Sequence, residues 1–166
     1  MKEVNSKMKI KLKNYTTQIP AEKTIMEIEK LLSMFGATHI MKEYYSDGRV
    51  KALFFRYNNR AFRIPANIEG VKKVLFEGKK MRYRVNEARN RDERAYRVCW
   101  RIIKDWLYSQ LSLIYSKQAE PEEVLLPYMY DGKRTLYEAY KEGLLQIDGE
   151  RLYLPEKEVK NERRIN

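Results

Sequence analysis

THIMKEYYSDGRVKALFFRYNNRAFRI, residues 38–64, carries the clearest local structure in the chain. Thr38–Tyr45 and Arg49–Tyr57 are β-rich segments, and Ser46-Asp47-Gly48 between them is a hairpin turn. Asn58-Asn59 makes a second tight turn into Arg60–Ile64, and Pro65 ends that segment. Ala52–Phe55 is apolar on both faces, which suits the middle strand of three. The stretch predicts a three-stranded antiparallel meander.

Upstream, Ile19-Pro20 opens a helix, with Glu22 at its positive end. Ile25, Ile28, Leu31, Leu32 and Phe35 recur at helical spacing until Gly36 closes it. Downstream, Ile68–Phe76 reads as a short helix with Val71, Val74 and Leu75 inward, and a long helix runs from about Glu87 to Ser116. Short helices near Glu122–Leu126 and Thr135–Glu142 precede a hairpin in Leu144–Leu154 that turns at Asp148-Gly149. The expected fold is a single α+β domain spanning residues 14–155. Residues 1–13 form a basic arm (Met8, Ile10 and Leu12 alternate with Lys, so an edge strand is the other reading), and 156–166 a charged tail.

The charge is unevenly spread. Residues 1–104 carry 25 Lys and Arg against 11 Asp and Glu, whereas residues 105–166 carry 9 against 12. Gly78 to Lys104 alone holds ten basic and three acidic residues. On a wheel of about 100° per residue with Arg94 at zero, Ala95, Val98, Cys99, Ile102, Trp106 and Leu113 fall at roughly 40–140°, a core face. Arg97, Arg101, Lys104 and Tyr108 fall at roughly 280–340° and make a basic stripe with Arg94, with Asp105 at its edge. Stacked cations repel unless an anion lies along them. Two readings stand: a solvated face paired to acids elsewhere, or a surface that follows phosphates, extended by Lys79, Lys80, Arg82 and Arg84. Tyr44, Tyr45, Phe54, Phe55, Tyr57 and Phe62, with Arg49, Arg56, Arg60 and Arg63, supply aromatic faces on which unpaired bases stack. Tyr45, Tyr57 and Tyr83 are the best placed, each beside a turn or a basic run, with Arg60 nearby.

Other chemistries find little support. Cys99 is the only cysteine, which excludes an internal disulfide and a multi-thiolate zinc site, and it reads as a small buried hydrophobe. A lone His39 builds no multi-histidine metal centre or hydrolase triad. Helix-then-meander begins several metal-dependent nuclease cores, but Val50–Tyr57 and Arg60–Ile64 contain no acid. No phosphate-cradling glycine motif occurs. No catalytic residue, metal or cofactor is assigned. A helix–helix–wing order in the C-terminal part suggests a winged helix, yet 8 basic against 10 acidic residues in 121–166 is the wrong sign for duplex DNA. That segment reads better as a lid on the long helix. No apolar run approaches the roughly 18 residues of a membrane span, and the amino terminus lacks the apolar core of a signal peptide. A cytoplasmic protein is expected.

Several segments together resemble a family of small uncharacterised proteins encoded by phages, prophages and related mobile elements of bacteria and archaea. They are Ile19-Pro20-Ala21-Glu22-Lys23-Thr24-Ile25, Phe35-Gly36-Ala37-Thr38-His39-Ile40, the run Tyr96 to Trp106, and Leu126-Pro127-Tyr128 through Thr135-Leu136-Tyr137-Glu138. The resemblance covers about residues 14–142. It implies a viral setting in a prokaryotic host and carries over no site residue. The combined expectation is a non-enzymatic protein that binds DNA or RNA, single-stranded in preference, with little sequence selectivity. The alternative is a protein-binding module, such as an inhibitor of a host defence complex. A homo-oligomer is open in either case.

Overall fold

A computed structural model describes residues 11–79, 85–144, 146–148 and 151–153. Helix α1 (Ala21–Phe35) begins directly after Pro20 and ends at Gly36, whose φ of 97° turns the chain left-handed. The Ala37 amide then donates to the Leu32 carbonyl at 2.9 Å, closing a Schellman cap that a residue bearing Cβ would strain.

Strands β1 (Thr38–Tyr44), β2 (Val50–Tyr57) and β3 (Arg60–Pro65) form the expected antiparallel sheet with β2 in the middle. In the first turn the Arg49 amide donates to the Asp47 carboxylate at 3.0 Å. In the second, Asn58 and Asn59 have φ of 47° and 61°, the paired left-handed geometry whose twist matches a two-residue hairpin. β1 is irregular at Thr38/Met41, where His39 also has positive φ. Leu53 pairs with Ile64 and Phe55 with Phe62, and the two phenyl rings stack at 5.2 Å. These four side chains are fully buried with Ile25, Ile28 and Leu32 of α1.

Helix α2 (Ile68–Phe76) leads to α3 (Val85–Tyr115), whose 31 residues run for about 46 Å. α3 packs along both α1 and α2. Its buried arc differs from the one the wheel predicts. Ala95, Val98 and Cys99 are buried as expected, but Ile102, Trp106 and Leu113 are only half-buried, and Tyr96, Trp100, Leu107 and Leu111 on the neighbouring side are buried instead. Tyr96 reaches the sheet, its hydroxyl accepting from the Val50 amide at 2.9 Å.

Two short helices, α4 (Pro121–Leu125) and α5 (Leu136–Lys141), close the molecule, with a 3₁₀ turn at Leu126–Tyr128 between them. As a lid on α3 the segment buries Leu125 and sets Tyr128 against Trp106 at 5.0 Å. It also does more. Met129 bridges to Phe62, and the Tyr130 amide donates to the Ala61 carbonyl at 2.8 Å, so the chain continues the sheet beyond β3. Tyr130 meets Phe54 edge-on, and Glu138 reaches Arg63 at 3.2 Å. The C-terminal segment thus reaches over part of the outer face of the sheet. β4 (Gln146–Asp148) and β5 (Arg151–Tyr153) pair as the terminal hairpin.

Candidate nucleic-acid interface

The amphipathic pattern of α3 places Arg94, Arg97, Arg101 and Lys104 on successive turns of one stripe. The fold brings two other segments over it. From α1, Glu27 accepts from Arg101 at 2.8 Å and lies 3.4 Å from Lys104. From the strap that precedes α1, the Tyr15 carbonyl accepts from Arg94 Nη2 at 2.7 Å and from Nε at 3.1 Å. Lys13 and Asn14 of the same strap bind Asp105, at 3.0 and 2.8 Å. The stripe therefore lies along a seam (the trough) between α1 and the strap, both of which bond to it. Arg101 and Lys104 keep only 18% and 21% of their side-chain surface exposed.

The electrostatics of the trough are unbalanced. Of the five cations Lys13, Arg94, Arg97, Arg101 and Lys104, three pair with Glu27 or Asp105, and among the described residues no other carboxylate pairs with any of the five. Arg94 donates to a neutral carbonyl. The buried Nε of Arg97 has no hydrogen-bond acceptor among the described residues. Burial alone would raise the Glu27 carboxyl, but hydrogen bonds and charge from Lys104 and Arg101 outweigh it and hold it below its ordinary value. Asp105 behaves likewise: burial opposes, while Asn14, Lys13 and the Lys104 charge prevail.

The remaining expected site residues are dispersed. Lys79 is exposed and lies over the Phe76 ring at 5.8 Å, beside Arg91 on the same ring at 4.8 Å. Lys80, Arg82, Tyr83 and Arg84 fall outside the described residues. Arg60 is paired with Glu122 at 2.6 Å. Tyr57 is half-buried, and Phe35 stacks on it at 4.4 Å, so it offers no open platform. Tyr45 is 36% exposed, with Lys51 at 6.0 Å over its ring. Arg63 is a structural residue, gripped by Glu43 at 2.9 Å and by Glu138. These residues do not converge on one platform.

Sequence reasoning missed Glu27, Asn14 and the Tyr15 carbonyl. The only available signal was that Glu27 shares a helical stripe of α1 with Leu31 and Met34, next to the core positions. Among the described residues no group of three His, Cys, Asp or Glu side chains is placed to hold a metal. None of their helices is long and apolar enough to cross a membrane. A polar cleft of about 360 Å³ on the outer face of the sheet is lined by the pairs Lys51–Glu43, Arg63–Glu138 and Arg134–Glu142. No protein-family model, curated protein or solved structure matches the chain.

Proposed function

We propose that the protein is a non-enzymatic nucleic-acid-binding protein that holds single-stranded DNA or RNA by its phosphates in the trough over α3. One observation carries this reading: among the described residues the five cations of the stripe and strap have two carboxylate partners, Glu27 and Asp105, which leaves positive charge uncompensated. Phosphodiesters are the most abundant polyanions available to fill such a deficit. The recess selects for flexibility. A single strand can bend between α1 and the strap, whereas a duplex is stiff over about 150 base pairs and offers its phosphates on a convex surface. Phosphate contacts carry no base information, so selectivity is low. A phage or mobile-element setting follows from the resemblance described above and is part of the proposal.

The test is fluorescence anisotropy with labelled single-stranded and duplex DNA and RNA at two salt concentrations. Neutralising about six phosphates of a single strand gives a log–log salt slope of roughly −4. Arg97→Glu is the clean variant, because no ion pair is broken by it. It should weaken binding at least about tenfold while the thermal melt stays near wild type. Unchanged affinity would reject the trough. Arg101→Glu is a poorer probe, since the new carboxylate would face Glu27.

A further inference from the structure

Beyond Lys104 the stripe of α3 changes character. Residues 106–116 contain no charged side chain, and neither do residues 31–41, in a chain that is 34% charged. The fold sets these two segments side by side. Leu31, Met34 and Phe35 of α1 and Tyr108, Leu111 and Tyr115 of α3 line an open groove of about 310 Å³. Tyr115 is 91% exposed, Met34 76% and Tyr108 58%. Interface cores are depleted of charge and enriched in Tyr and Met, and this patch has both properties.

We propose that this groove is the face through which two copies of the chain associate. Charge selects the occupant. Each copy carries a net charge of +11, so two copies repel wherever their excess cations meet. The charge-free groove is the surface on which they approach without that penalty. None of the residues that line the groove is a cation with which an acidic partner could pair. The patch is also self-complementary: Tyr115 and Met34 project, while Leu31, Phe35 and Leu111 form a floor to receive them across a two-fold axis. Tyr108, Tyr115 and Met34 together offer about 450 Å² per copy. A two-fold pair would bury about 900 Å² from these three residues alone, and the groove floor brings it into the range of a weak specific dimer. This inference does not depend on what the trough binds.

Sedimentation velocity on the nuclease-treated full chain tests it. A monomer–dimer equilibrium in the micromolar range is expected, and it tightens as salt rises from about 0.1 to 0.5 M because salt screens the mutual repulsion. Association bridged by residual nucleic acid would respond to salt in the opposite sense. Tyr115→Lys and Met34→Lys should each weaken the dimer by at least about tenfold with the far-UV melt unchanged. A wild-type chain that stays monomeric at about 200 μM overturns the proposal, and so does a dimer equally tight in both variants. If Tyr115→Ala loses affinity for single strands but self-associates like wild type, the groove belongs to unpaired bases and the dimer assignment falls.

Discussion

Glu27→Gln should make the protein less stable and a better binder at once. The side chain makes two ion pairs, at 2.8 Å to Arg101 and 3.4 Å to Lys104, and a third of it remains in solvent. Partly exposed pairs of this kind are worth about 0.5–1 kcal/mol after screening. Gln keeps the shape and one acceptor oxygen, so the loss lies at the lower end. For a chain of this size that corresponds to a fall in Tm of about 1–4 °C. The binding effect has the opposite sign. Glu27 is one of two carboxylates facing five cations, so its removal takes away half of the negative charge that competes with a phosphate. A phosphate held about 7 Å from Glu27 feels a repulsion of about 0.5–1 kcal/mol at intermediate effective dielectric and moderate salt. Affinity should rise about two- to fivefold. If Lys104 or Arg101 is freed for one further phosphate, the salt slope should steepen by about 0.7. Anisotropy titrations at several salt concentrations, beside a thermal melt, measure both quantities on the same sample. Weaker binding, or unchanged affinity and slope with a lowered Tm, would mean that Glu27 is a purely structural partner and that nucleic acid does not enter the trough.

Other consequences of the structure concern stability. Arg63 is only 12% exposed and joins Glu43 on β1, Glu138 on α5 and the Phe54 ring, so Arg63→Ala should cost about 3 kcal/mol and loosen the C-terminal segment from the sheet, seen as faster amide exchange at Tyr130. Trp100 is fully buried, yet its indole N–H has no acceptor among the described residues, so Trp100→Phe deletes an unsatisfied donor along with some volume and should cost less than about 1.5 kcal/mol in chemical denaturation. Glu43 sits below its ordinary value chiefly through the Lys51 hydrogen bond, and Glu27 and Asp105 are also lowered. Carboxyls with depressed folded-state values contribute stability that is fully present above their unfolded values, about 4 to 4.5, and lost as pH falls through the folded ones. Tm should be flat above about pH 5 and fall below pH 4.5; a melt that is insensitive to acid would contradict these three pairings.

The meander was legible because its decisive signals are local. Asp47-Gly48 and Asn58-Asn59 carry their turn geometry in their own residues, and the apolar run of β2 needs a sheet on either side to bury it. The limits of α1, α2 and α3 came within two residues for the same reason. The buried arc of α3 was misread because a wheel that seeks one apolar face assumes one neighbour. Here α3 packs along both α1 and α2, and its Tyr96 hydroxyl accepts from the Val50 amide of the sheet. Arg63 looked like part of a binding platform because nothing near it in sequence announces Glu138, 75 positions away.

The basic stripe is the sharper case. The reading of a face paired to acids elsewhere holds for Arg101 and Lys104, which share Glu27, but these side chains are recessed rather than solvated. The fold supplies their partners from far along the chain. It brings Glu27 from 74 positions away and the Tyr15 carbonyl from 79, and it thereby holds the guanidinium of Arg94 and the side chains of Arg101 and Lys104 in fixed positions without neutralising them. A carbonyl orients a cation at no cost in charge, and one carboxylate shared by two cations leaves an excess. Ordering long side chains in advance removes about 0.5–1.5 kcal/mol of entropy cost per residue when a ligand arrives. The contacts that make the stripe look internally satisfied are those that would prepare it for a polyanion, and Glu27 is where the two roles can be separated by experiment.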